Sequence, residues 1–208
     1  MPARPIPLQE MKRATIILAL VLAATGLIAG SAIGADAEPT AGARSQALDR
    51  DILKLLNATR VARGLRPLAL SLDLRRAAAV HSRSMIDGGF FKHESRDGSP
   101  FNARVKRFYR LAGYDTWSVG ENLLYSAAET NASAAIEAWL DSPAHRDNML
   151  NPAWREVGIG SLFASSAGGT FRGEPTLVIT MDLGVRSRSK PRKLAATRKV
   201  IPAFPAKA

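Results

Sequence analysis

Leu48, Ile52, Leu55, Leu56 and Thr59 recur at helical spacing, and this stripe predicts a first amphipathic helix, with Ser45 as its N-cap and Gly64 as its left-handed terminator. Pro67 marks a turn, and Ser71 then caps a second helix. Its stripe of Leu74, Ala77, Ala78, His81 and Met85 runs to Gly88-Gly89, the usual place for a glycine stop. A third, basic helix is predicted over 102–112, its Lys and Arg side chains forming a solvated face. A fourth, over 132–140, turns Ile136, Trp139 and Leu140 inward. Ser142-Pro143 combines a capping residue with proline at the first helical position, which starts a new short helix. The periodicity changes near the end of the chain. Residues 157–163 and 176–183 are rich in β-formers and flank Ala167-Gly168-Gly169, so they read as two antiparallel strands joined by a hairpin loop. Two strands with so many amphipathic helices need helices packed on the sheet faces, which defines an α+β fold.

The ends of the chain have a different character. Lys12-Arg13 precedes an apolar run from Ile16 to Ala24, followed by small residues up to Ala35-Asp36-Ala37. This three-part pattern predicts a secretory signal over 1–37, cleaved after Ala37, with Met11 as an alternative start. A membrane anchor is the competing assignment, but an apolar core of about a dozen residues falls short of the roughly 20 that a span needs. Residues 38–45 read as a linker, 46–185 as one domain and 186–208 as a basic, disordered tail. No second long apolar stretch exists, so no transmembrane span is expected after signal cleavage.

Composition narrows the function. The 208 residues contain no cysteine and carry a formal charge of +11, so an exported domain of this kind relies on packing alone, as suits a bacterial envelope. The charge is not spread evenly. Residues 38–185 hold 18 basic and 16 acidic side chains, while 186–208 hold 8 basic and none acidic. The tail therefore serves solubility or adheres to an acidic envelope polymer or anionic lipid. Nucleic acid is not expected as a partner: the domain has no basic stripe interleaved with aromatics, and the leader directs it out of the cytoplasm.

Candidate chemistry rests on three histidines. His81 falls inside an apolar stripe and reads as a core residue. His93 in GGFFKHES and His145 in WLDSPAHRDNML lie on either side of Gly120-Glu121-Asn122. A fold that brings these together makes a cleft with two imidazoles and a carboxylate. Asn122 and Asn148 are expected to satisfy backbone groups at turns, and Trp139 and Trp154 to pack in the core and at its rim. Trp117 lies close enough to Glu121 in sequence to stack on a ligand.

The succession LLNATRVARGLRPLALSLDLRRAAAVHSRSM, FFKHES, GENL, WLDSPAHRDNML and EVGIG closely resembles the CAP superfamily of cysteine-rich secretory, antigen 5 and pathogenesis-related domains, in its bacterial cysteine-free branch. The resemblance covers about residues 47–183. It implies an α-β-α sandwich with a central, mostly antiparallel sheet and a cleft of two histidines and two acids that binds a divalent metal in some members. By this resemblance His93 and His145 match the cleft histidines and Glu121 the first acid, while Ser142 falls where the second acid is expected. Asp141 and Glu137 lie nearby but on other faces.

Two imidazoles and a carboxylate with an open position suit Zn²⁺ or another divalent metal, so His93, Glu121 and His145 are candidate metal ligands. Against this, three separate loops lack the rigid HExxH spacing, and a structural hydrogen-bonded cleft without metal is the reading preferred over metal binding. Ser142, His145 and Glu121 also have the residue types of a nucleophile, base and orienting acid. No GxSxG elbow presents the hydroxyl, however, and Ser142 already has a capping role. The sequence thus predicts a secreted or periplasmic binding module with a cleft bounded by His93, Glu121, Ser142 and His145, open to a metal, lipid or glycan. A metal-assisted hydrolase of peptide or cell-wall substrates, and a passive interaction protein, are the alternatives.

Overall fold

A computed structural model of the chain describes residues 40–188. The predicted signal and all but the first residues of the predicted tail lie outside the described residues.

The described residues form five α-helices, a single 3-10 turn over Gly169–Phe171 and a four-stranded sheet. Helix α1 (Ala41–Val61) starts earlier than expected because Thr40, rather than Ser45, caps it, the Thr40 Oγ1 accepting from the Ala43 N–H at 3.2 Å. Residues 41–45 of the expected linker are therefore helical, and Ser45 is buried inside α1. A two-residue strand β1 (Ala69–Leu70) leads into α2 (Leu72–Gly88), capped by Ser71 as predicted. Helix α3 (Phe101–Phe108) stops four residues short of its predicted end. Tyr109 leaves the helical conformation, buries its ring completely and donates its hydroxyl to the Glu156 carboxylate.

Strand β2 (Thr116–Ala127) was not predicted. Its run of small and polar residues, TWSVGEN, lacks the apolar alternation that marks a strand. Asn122 accordingly lies within a strand and not at a turn. Helices α4 (Ala132–Asp141) and α5 (Pro143–Met149) follow, then β3 (Glu156–Ala164) and β4 (Thr176–Ser187), which pair antiparallel as expected. Strand β4 takes in Arg186 and Ser187, the first two residues assigned to the tail.

The strand order is β1-β3-β4-β2, parallel only between β1 and β3. Alternate residues of β3 and β4 separate the two faces. Val157, Ile159, Leu177, Ile179, Met181 and Leu183 pack with α1, α4 and α5 around Ile52, Leu56 and Trp139. The opposite face meets α2 and α3 through Leu74, Ala77, Val105 and Tyr109. Contact with α2 is so close that a Cβ on Gly158 would lie 2.0 Å from the Arg75 nitrogen, and one on Gly160 2.3 Å from that of Ala79. The EVGIG motif thus seats a helix backbone directly on a strand. This is the α-β-α sandwich with a mostly antiparallel sheet that the sequence predicted. Arg60 secures the other layer: it is fully buried and donates to the carbonyls of Arg66, Met149 and Asn151, tying the end of α1 to the end of α5.

Candidate functional site

Strand β2 is the outer strand, and the site straddles it. Successive side chains of a strand point to opposite faces, so Glu121 faces α2 and α3 while Asn122 faces α5. Two walls are built from this alternation.

On the first wall the Glu121 side chain is 1% exposed and both its oxygens are engaged. Oε1 meets His93 Nδ1 at 2.8 Å, and Oε2 accepts from Arg104 Nη2. Arg104, itself buried, also donates to the His93 carbonyl at 3.1 Å and to Ser95 Oγ at 3.3 Å. The guanidinium therefore ties the His93 loop, helix α3 and strand β2 together. His93 remains half-exposed, with its Nδ1 held by the carboxylate.

On the second wall His145 Nδ1 lies 2.9 Å from Ser142 Oγ. Ser142 occupies the N-cap position of α5, but its side chain makes no capping bond, so its hydroxyl is free to orient the imidazole three residues ahead. The capping role expected for Ser142 is replaced by this one. Asn122 Nδ2 donates to the His145 carbonyl at 2.9 Å, and Asn148 Nδ2 donates to the Glu121 carbonyl and to Asn122 Oδ1. Gly120 leaves room for this ladder, since a Cβ there would fall 2.5 Å from Asn148 Oδ1. Trp139 donates to the Leu123 carbonyl, so side chains of α4 and α5 satisfy the outer edge of β2, which would otherwise be an open template for pairing. Burial first, and the nearby His93 second, lower the His145 pKa, which favours its neutral form.

Hydrogen bonds join Glu121 to His93 and Ser142 to His145, and His93 bears on the His145 pKa, so the four predicted residues form one neighbourhood. Asp141 and Glu137 are not part of it; both are exposed, and Glu137 accepts from Ser133. Trp139 and Trp154 are core residues, and Trp117 is half-buried against the α2–α3 cluster. His81 is fully buried as expected, with Nε2 on the Lys92 carbonyl at 3.0 Å, and burial lowers its pKa to about 4.

Two participants were missed in the sequence. Arg104 was assigned to a solvated face, and Asp182 was not considered. Asp182 pairs with Glu121 across β2 and β4 and is wholly buried. Burial first, and the Glu121 carboxylate second, raise its pKa well above the ordinary value, with Arg104 opposing, so its protonated form is favoured. The signal was present: in the run TLVITMDL, Asp182 is the only charged side chain of an otherwise buried strand.

This arrangement bears directly on a metal. Glu121 has no free oxygen, and the Arg104 guanidinium already places a positive charge beside it. Among the described residues no three His, Cys, Asp or Glu side chains form a group suited to hold a metal ion. The donor set does not fit the three-ligand zinc site considered from the sequence.

Residues 53–180 match the CAP (cysteine-rich secretory protein) family, and the chain belongs to that family. It is 32% identical over 121 residues to the uncharacterized protein YkwD of Bacillus subtilis, covering 58% of this chain and 44% of that one. It is 30% identical over 112 residues to the uncharacterized membrane protein YlbC of the same organism, covering 54% and 31%. The chain therefore spans less than half the length of these curated relatives. Among solved structures, an extracellular protein containing an SCP domain from Bacillus anthracis aligns with a TM-score of 0.54 at 24% identity, over 72% of this chain and 43% of that one. An outer surface protein from Borrelia burgdorferi also gives 0.54, at 15% identity over 66% and 92%. Both share the fold.

Proposed function

We propose that the chain is an exported CAP-domain binding module of the bacterial cell envelope, secreted or periplasmic, whose cleft takes a hydroxyl-bearing ligand, a glycan before a lipid headgroup. The observation that carries this reading is the pairing of each imidazole Nδ1 with a partner inside the protein, Glu121 for His93 and Ser142 for His145. With its Nδ1–H donated to the Glu121 carboxylate, His93 offers Nε2 as an acceptor to a ligand hydroxyl, while the role of His145 Nε2 follows from its tautomer against Ser142. Export is supported by the signal pattern of residues 1–37 and agrees with the extracellular and outer-surface descriptions of the structural neighbours. Among the described residues no helix is long and apolar enough to cross a membrane. The basic residues beyond the described part would add adhesion to acidic envelope polymer or anionic lipid, lost as salt is raised.

A hydrolase of peptide or cell-wall substrates draws on the same His93–Glu121 pair, since a carboxylate-held imidazole presents a basic Nε2. Its metal-assisted form lacks a free carboxylate ligand. The test is retention of the purified full chain on insoluble envelope glycan, with turnover followed by release of soluble fragments. The double variant His93→Gln/His145→Gln is expected to reduce retention about tenfold, the effect of losing a hydrogen bond or two to the ligand, in a chain shown by circular dichroism to be folded. Retention equal to that of the unmodified protein overturns the reading. Fragment release that disappears in the variant replaces it with the enzyme.

A further inference from the structure

The sheet face that carries Glu121 also carries Asp182. The two residues are direct partners across β2 and β4, and on the other side of Asp182 stands Gly158 of β3. Directly opposed residues project to the same face with Cβ atoms about 4.5–5.5 Å apart, and the two carboxyl groups lie within hydrogen-bonding reach of each other. The place is sealed. The α2 backbone rests on Gly158, and Tyr109 and Leu74 lie over Gly184, the next residue of β4 on this face. Thr180, the preceding one, is paired with the Ser82 hydroxyl at 2.9 Å.

Asp182 is 0% exposed, yet neither of its oxygens meets a donor among the described residues. The donors of this neighbourhood are aimed elsewhere. Arg104 Nη2 and His93 Nδ1 turn to Glu121, and Arg104 Nη1 turns to the His93 carbonyl and Ser95. Arg104 Nε makes no bond to Asp182. Glu121 is therefore the ionised member, and one guanidinium, one carboxylate and one neutral acid leave no net charge in a dry place, where an unmatched one is costly. Two carboxyl groups in contact are held together when one of them supplies a proton. A carboxylate offers about four lone-pair sites, and with His93 on Oε1 and Arg104 on Oε2, Glu121 has room to accept from Asp182.

We propose that Asp182 is a positioning residue of the cleft: it donates its carboxyl hydroxyl to Glu121 and so fixes the carboxylate in the orientation that takes the Nδ1–H of His93 and leaves Nε2 an acceptor for a ligand hydroxyl. Asp182 touches no ligand itself. The terminal torsion of a glutamate is soft, so a carboxylate held by Arg104 alone turns more freely than one held from two sides. The consequence for a ligand rests on the binding reading above, while the hydrogen bond itself belongs to the ligand-free protein.

The test uses the full chain and two substitutions. Asp182→Asn keeps the shape and a donor but no carboxyl proton; Asp182→Leu keeps the bulk and has no donor. Infrared difference spectra at neutral pH, between the ligand-free unmodified protein and Asp182→Asn with the aspartate carboxyl groups labelled with ¹³C, are expected to show the carbonyl band of one protonated carboxyl group. Carboxylate bands in its place overturn the proposal. Ring ¹⁵N spectra of His93 should report the same Nδ1–H tautomer in the unmodified protein and in Asp182→Asn, and a mixture of tautomers in Asp182→Leu. Retention on insoluble envelope glycan should fall at least about threefold with Asp182→Leu and stay within about twofold with Asp182→Asn, as expected for part of one hydrogen bond. Equal effects of the two substitutions, or none from Asp182→Leu, overturn the positioning role. If Asp182→Leu does not fold, the infrared band and the Asp182→Asn spectra still decide. If the unmodified protein is not retained at all, the binding reading fails, and the ligand-free spectra still decide whether Asp182 holds Glu121.

Discussion

The two walls of the cleft present the same side chain by opposite means. His93 is held from a distance: its loop, helix α3 and strands β2 and β4 meet in a buried network of Glu121, Arg104 and Asp182, carrying full charges and a raised acid. His145 is held locally, by a serine three residues earlier and by neutral amides from Asn122 and Asn148. Charge concentrated in a dry place is stable only while every member is present, whereas a ladder of neutral amides tolerates the loss of one rung. The first wall should therefore be brittle and the second forgiving.

The sharpest way to break this contrast is Arg104→Met. It removes the cation from beside Glu121 and Asp182 while preserving bulk, and leaving a buried charge unpaired costs about 3–5 kcal/mol. Urea unfolding should show a loss of that size. A loss below about 1 kcal/mol would mean that the network does not hold the wall.

The next effect is in pH. The native pKa of His81, about 4, lies below its ordinary value of 6.5, so the unfolded chain takes up the proton first. The contribution of neutral His81 is complete above about pH 6.5 and falls away as pH drops toward 4, by about 3 kcal/mol in all. Asp49, raised to about 6 mainly by burial, has the opposite trend, since its ionisation lowers stability as pH rises through the same interval. The two partly cancel in the unmodified protein. The difference in unfolding free energy between it and His81→Gln isolates the histidine, and that difference should shrink by about 3 kcal/mol between pH 7 and pH 4. A gap that stays constant would show that His81 is not buried in its neutral form.

The smallest effect belongs to the second wall. Ser142→Ala deletes one hydrogen bond at a half-buried position, and about 1 kcal/mol or less should be lost in unfolding. The His145 ring signals should broaden in NMR spectra while those of His93 stay sharp. If Ser142→Ala cost as much as Arg104→Met, the contrast between the walls would be false.

Most of the helical layer was legible because its signals are local. The Leu48–Leu56 and Leu74–Met85 stripes, Ser71 as a cap and Ser142-Pro143 as a start each act within a few residues. The layered fold followed from the order of motifs, and His93 and Glu121, which they single out, meet in a hydrogen bond. Strand β2 was not legible, because it lies between helices and an edge ladder rather than between two apolar layers, and its polar residues are satisfied by α5. Arg104 was hidden for a related reason. Among neighbours such as Lys106 and Arg107 in a basic helix, nothing local distinguishes the one guanidinium that turns inward to a carboxylate 17 positions away. Asp182 could have been found, as a lone acid in a run of buried β-formers. The cap assignment for Ser142 placed the residue correctly but gave its hydroxyl the wrong partner, since a serine at that position has two local hydrogen-bonding roles and sequence does not rank them.

The contact of α2 with β3 at Gly158 and Gly160 has a wider consequence. Where main chain rests on main chain, no rotamer remains that could take up slack, so the gauge between helix and sheet is constant. Side chains beside this seam can be exchanged for others of different charge or polarity while the spacing of α2 and β3 stays fixed. Two absent methyl groups thus separate the spacing of helix and sheet from the chemistry around it.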